Sequence, residues 1–115
     1  MKISCIVLIL LILVGCATNP RPWTKKEKGI LAWSVLAAAA DTYTTIEMLD
    51  DGNYEMNPIL GRYPSDDEVI IYMSVSELLT ILVAHYYPKY RSCLLGGKAL
   101  VNSYFTIHNR RLDEN

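Results

Sequence analysis

Apolar positions fall into four blocks, each bounded by polar, proline-marked or glycine-marked stretches. The first, residues 3–14, is nearly continuous and broken only by Ser4 and Cys5, with Lys2 ahead of it. At about 1.5 Å per residue a helix of roughly 12 residues covers about 18 Å, well short of a hydrocarbon core of about 30 Å. A short apolar core behind a positive start is the pattern of a secretory signal. The second block predicts a helix over 24–49, opened by Thr24 with Glu27 three residues on and carried by the tract Ala37-Ala38-Ala39-Ala40. Its residues Ser34, Ala37, Ala38, Asp41 and Thr45 share one face, a small and polar stripe that lets another helix approach closely. The third predicts a helix over 66–87, started by Ser65 and Glu68 and closed by Pro88, with Glu77 the one acidic residue after Val69. The fourth predicts a helix over 92–110, with Lys98, Asn102, Thr106 and Asn109 at helical spacing. Strand alternation is nowhere found. The expected fold is all-α: a small three-helix unit after a cleaved signal peptide. Residues 1–15 are the signal, 16–28 a lipidated N-terminus and tether, 29–110 the helical domain and 111–115 a polar tail.

The tetrad Leu13-Val14-Gly15-Cys16 resembles the lipobox of bacterial lipoprotein precursors. The resemblance implies cleavage between Gly15 and Cys16 and a covalent lipid on the Cys16 thiol, with the new amino group acylated in turn. Two or three acyl chains anchor firmly where one is marginal. In that family an aspartate after the cysteine retains the protein in the inner membrane; Ala17 stands here, so the resemblance implies the outer membrane of a two-membrane cell. The competing reading is an uncleaved anchor helix from Ile3 to about Thr18. Residues 17–28, with Pro20 and Pro22 and the cluster Lys25, Lys26 and Lys28, then form a basic tether or a solvated helix start. Trp23, just before the cap, is placed either to staple onto the helix or to rest at the membrane interface.

Composition narrows the function classes. A mature chain of about 100 residues is one domain, and a net charge of −1 with no basic stripe excludes a nucleic-acid partner. Of three cysteines, Cys5 lies in the signal and Cys16 carries lipid, so Cys93 has no internal partner. Between Ser92 and Leu94-Leu95 it is expected to be buried. The helix 66–87 is long and apolar enough to span a bilayer, although the basic tether and basic link 89–91 would then prefer the cytoplasmic side. A surface bundle meets no such conflict. Eight tyrosines, several at 86, 87, 90, 54 and 63, suit a membrane interface or a protein-binding surface.

One polar group lies near the middle of each helix: Asp41, Glu77, and Lys98 with Asn102. Buried charges need partners, so these are expected to meet in a polar core, joined by Glu55 and Asn57 from the intervening loop. The pattern Asp41-x-x-Thr44-Thr45, Gly52 and Glu55-x-Asn57-Pro58 resembles small helical membrane-associated proteins of bacterial and tailed-phage genomes. That resemblance implies no activity, only that these positions belong together. No His-x-x-x-His or Glu-x-x-His pair fixes a metal among Asp41, Glu55, Glu77, His85 and His108, and no nucleophile elbow or phosphate loop occurs. No residue is therefore assigned a catalytic or metal-binding role, and no cofactor is expected beyond the lipid on Cys16. The expected function is a lipid-anchored helical envelope protein, not an enzyme. Its partners are membrane lipid and another envelope protein or a second copy. The alternatives are a phage-type factor for lysis or superinfection exclusion, and a four-helix integral protein with an intramembrane polar site.

Overall fold

The computed structural model describes Ile6, Val7, Ile9 and residues 20–114. The signal cleavage site and Cys16 lie outside these residues. Among the described residues the chain is all-α, with three long helices and no strand. Helix α1 is Lys25–Asp50, α2 is Asp66–Tyr86 and α3 is Arg91–Glu114, with a single 3-10 turn at Pro88–Tyr90 between the last two.

Each helix starts and stops for a local reason. Two capping boxes open α1 and α2: Thr24 accepts from Glu27 N–H, Ser65 accepts from Glu68 N–H, and each glutamate reaches back to its cap. Helix α1 ends in a Schellman motif. Gly52 N–H donates to Leu49 O and Asn53 N–H to Met48 O, which needs the positive φ of 90° at Gly52. Pro88 removes the donor that would extend α2. Helix α3 runs on through the polar tail to Glu114.

Helices α1 and α3 form the main interface, and α2 packs less extensively on both. Arg91 meets Glu27 near the start of α1, while Asn109 meets Asp41 and Thr44 further along it, so α1 and α3 run parallel. Glu77 meets Ser34, and His85 meets Trp23, so α2 runs antiparallel to them. The seam repeats about every 3.5 residues. On α1 it is Glu27, Ser34, Ala37, Ala38, Asp41, Thr44, Thr45 and Met48; on α3 it is Arg91, Leu95, Ala99, Asn102 and Asn109.

The burial pattern is inverted relative to a water-soluble domain. Among the described residues nine polar or charged side chains are buried, against seven apolar ones, four of them alanines. Fourteen large apolar or aromatic side chains point outward from the three helices, among them Leu36, Ile71, Leu78 and Leu100, each more than 60 % exposed. Only Val69, Glu77 and Ala84 are buried along α2. Cys93 is exposed, contrary to expectation. Arg91 and Leu95 take the inward positions of this turn, and a residue two places from Arg91 is rotated about 200° away from the seam.

Candidate functional site: a polar seam and an adjoining cavity

The polar groups of the three helices join into one continuous network. Ser34 Oγ donates to Glu77 Oε1 at 2.6 Å. Lys98 Nζ lies 3.6 Å from Glu77 Oε2, an ion pair without a hydrogen bond. Asn102 satisfies both neighbours only with its amide nitrogen toward Asp41 Oδ2 and its oxygen toward Lys98 Nζ, each at 3.1 Å, and is assigned so. The other oxygen of Asp41 accepts from Thr45 Oγ1 at 3.2 Å and from Asn109 Nδ2 at 3.3 Å. Asn109 Nδ2 also reaches the hydroxyls of Thr44 and Thr45, at 3.2 and 3.0 Å. Small neighbours make this possible: Ala37, Ala38 and Ala99 let α1 and α3 come close enough for short polar side chains to meet.

Asp41, Glu77, Lys98 and Asn102 are thus brought together, and Ser34, Thr44 and Asn109 belong with them. Glu55 and Asn57 line one cavity with Asp41, Lys98 and Asn102, while their own hydrogen bonds go to the loop. Glu55 Oε1 accepts from the N–H of Met56 and of Asn57, and Asn57 Oδ1 accepts from Ile59 N–H at 3.0 Å. Both side chains hold their own loop, which is closed by Glu55 N–H donating to Arg62 O at 2.8 Å. That loop joins α1, α2 and α3 in lining a half-open cavity of about 710 Å³. Its polar lining includes Asp41, Thr45, Glu55, Asn57, Lys98, Asn102, His108 and Asn109, and Tyr72, Met73, Val101 and Phe105 line it as well. Among the described residues no group of three metal-ligating side chains occurs.

A second cluster lies at the opposite end, around Arg91, which is fully buried. Its guanidinium donates to Ala84 O at 2.8 Å and to His85 O at 2.9 Å, two of the carbonyls that end α2. It donates also to Arg21 O at 2.9 Å, Pro22 O at 3.4 Å and Glu27 Oε2 at 3.2 Å. Trp23 lies beneath it, 4.4 Å from ring centre to guanidinium carbon, and its Nε1–H donates to His85 Nδ1 at 3.3 Å. Trp23 is therefore stapled to the helical body. Arg21 pairs with Glu27 and so reinforces the cluster. Hydrogen bonding from Arg21 first, then from Thr24 N–H and Arg91, outweighs burial and holds the Glu27 carboxyl at about 2. Glu27 in turn raises the Arg21 guanidinium. Arg91 belongs to the basic link 89–91, and its place on the stripe with Leu95, Ala99 and Asn102 is the signal that marks it as inward.

Among the described residues one helix, α2, is long and apolar enough to cross a membrane. No family model, curated protein or solved structure matches the chain.

Proposed function

We propose that the protein is a small, lipid-anchored helical envelope protein whose body is embedded in the bilayer. On this reading its role is structural or one of protein interaction. The inverted burial carries the proposal. A core helix of a soluble protein hides its apolar side, whereas α2 turns Ile70, Ile71, Val75, Leu78 and Leu82 outward. Each such side chain gains about 1.5–3 kcal/mol on leaving water, and exposed apolar surface on this scale marks a membrane or partner. Because Glu77 is tied to Ser34 and Lys98, inserting α2 takes α1 and α3 with it. Their outward faces suit that setting. Residues 29–46 carry Asp41 alone as a charge, buried in the seam, and as a helix cover roughly 27 Å, close to a bilayer core of about 30 Å. Trp23, Tyr86 and Tyr90 stand at one end of the helices, and Tyr54 and Tyr63 at the other, where aromatic belts form.

Four residues separate Cys16 from Arg21, a reach of at most about 18 Å, so a lipid on Cys16 lies at the same membrane face as Lys25, Lys26 and Lys28. A second reading is favoured by the charge distribution. Arg21, the three lysines and Lys89 gather at one end, whereas the other carries Arg62, Arg110 and Arg111 beside Asp50, Asp51, Asp66, Asp67 and Glu68. The positive-inside rule puts the basic end in the cytoplasm, which an uncleaved leader permits and a lipidated Cys16 does not. Intact mass of the wild type beside Cys16→Ser separates the two. Residues 16–115 plus acyl groups, lost in the variant, support the lipid anchor; an unprocessed mass in both supports the retained leader. Embedding is tested in either case by maleimide labelling of single cysteines on a Cys93→Ser background, with Cys5→Ser and Cys16→Ser added where the leader is retained. Asp67→Cys should label in intact membranes and Leu78→Cys should not; equal labelling rejects the proposal.

A further inference from the structure

The cavity beneath the Glu55 loop has a chemistry that selects a ligand class. It is lined by Asp41 and Glu55, by the His108 imidazole, and by the Lys98 ammonium, which is already answered by Glu77 and Asn102. The Lys98 ammonium is thus shared among three carboxylates, Asp41 and Glu55 in the lining and Glu77 beside it. Asp41 accepts only from Thr45, Asn109 and Asn102, and Glu55 from backbone N–H groups, all neutral donors. An anionic headgroup placed here would meet uncompensated like charge, whereas a cation would complete the set. The walls agree: Tyr72 and Phe105 offer aromatic faces, which attract cations through the ring quadrupole. Met73 offers an apolar surface that adapts its shape. A volume of about 710 Å³ lies within the range of small-ligand sites.

We propose that this cavity binds a small lipophilic cation, its ammonium between Asp41 and Glu55 and its alkyl or aryl part against Tyr72, Met73 and Phe105. The cavity is half open, with Val101, Tyr104 and Phe105 of its lining also exposed on the outer surface, and the proposal rests on how the helices and the loop pack, not on the membrane reading.

The test uses the purified full chain in an uncharged detergent, titrated by calorimetry with hexylammonium, hexanol and hexanoate, three ligands with one chain and different heads. Hexylammonium should bind saturably at one site, with hexanoate weaker by about tenfold or more and hexanol between them. Glu55→Gln keeps the loop hydrogen bonds, because an amide oxygen can still accept both N–H groups. It should weaken hexylammonium about fivefold while leaving hexanol unchanged. Met73→Trp should fill the cavity and abolish binding of both. Equal binding of the three ligands, tighter binding of hexanoate, or full hexylammonium affinity in Glu55→Gln overturns the proposal. Should Met73→Trp fail to fold, the Glu55→Gln comparison decides alone.

Discussion

Arg91→Ala should destabilise the protein more than any change on its outer faces. The side chain is fully buried and donates to four backbone carbonyls from two segments, as well as to Glu27. Hydrogen bonds from a charged donor contribute on the order of 1.5–3 kcal/mol each, yet these share one group and their losses do not add. The carbonyls at the end of α2 can also recover some bonds to water at this end of the helices. A net loss of about 3–5 kcal/mol is the working figure, as for breaking a buried charged cluster. For a domain of this size that lowers the midpoint of thermal unfolding by at least about 12 °C. Helical circular dichroism in detergent reads the global effect. Trp23 reads the local one: with Arg91 gone from its face, its emission should shift to the red and become more open to iodide. Arg91→Lys keeps the charge but cannot fork to both segments, so it should lose about half as much. A midpoint within about 2 °C of wild type, with unchanged Trp23 emission, would refute the view that Arg91 ties the pre-helix segment, α1 and the end of α2 together.

Glu77→Gln should cost on the order of 1–3 kcal/mol in thermal unfolding, because Lys98 is left half-buried without its counter-charge. The double change Glu77→Gln with Lys98→Met should cost less than the sum of the two, as a double-mutant cycle would show. Asn109→Ala removes donors to Asp41, Thr44 and Thr45 and should cost roughly 1–3 kcal/mol by the same assay. The Glu27 carboxyl lies at about 2 when folded, below its ordinary value of 4.5. Its contribution is thus complete above about 4.5 and fades as pH falls toward 2. The stability gap between wild type and Glu27→Gln should close only across that window in a pH series of melts.

How much of this could be read in the sequence depends on range. Helix starts rest on local chemistry, and Thr24 with Glu27 and Ser65 with Glu68 announced theirs. The stripe Ser34, Ala37, Ala38, Asp41 and Thr45 follows from 3.6-residue periodicity, and all five are buried in the seam. What escaped is set by phase and by long-range packing. Cys93 looked inward because its neighbours are apolar, but Arg91 and Leu95 define the inward side of that turn. Arg91 looked like surface charge, since nothing local shows that Glu27, 64 residues earlier, will lie beside it. Glu55 and Asn57 do line the cavity beside the polar core, and what local sequence does not show is that their hydrogen bonds hold the turn around Pro58. The cavity was not legible at all, being made by the spacing of α2 from α3 under a loop.

The central claim is that the outward apolar faces meet lipid. Trp33 stands on the outer side of α1, 42 % exposed and nearly level with the Ser34–Glu77 contact. With Trp23→Phe as background, its fluorescence should be measured in vesicles containing lipid brominated along the acyl chains, and separately with iodide in the water. Embedding predicts strong quenching by the brominated lipid, a blue-shifted emission and little effect of iodide. Quenching by iodide with none from the brominated lipid would place this face in water and contradict the account.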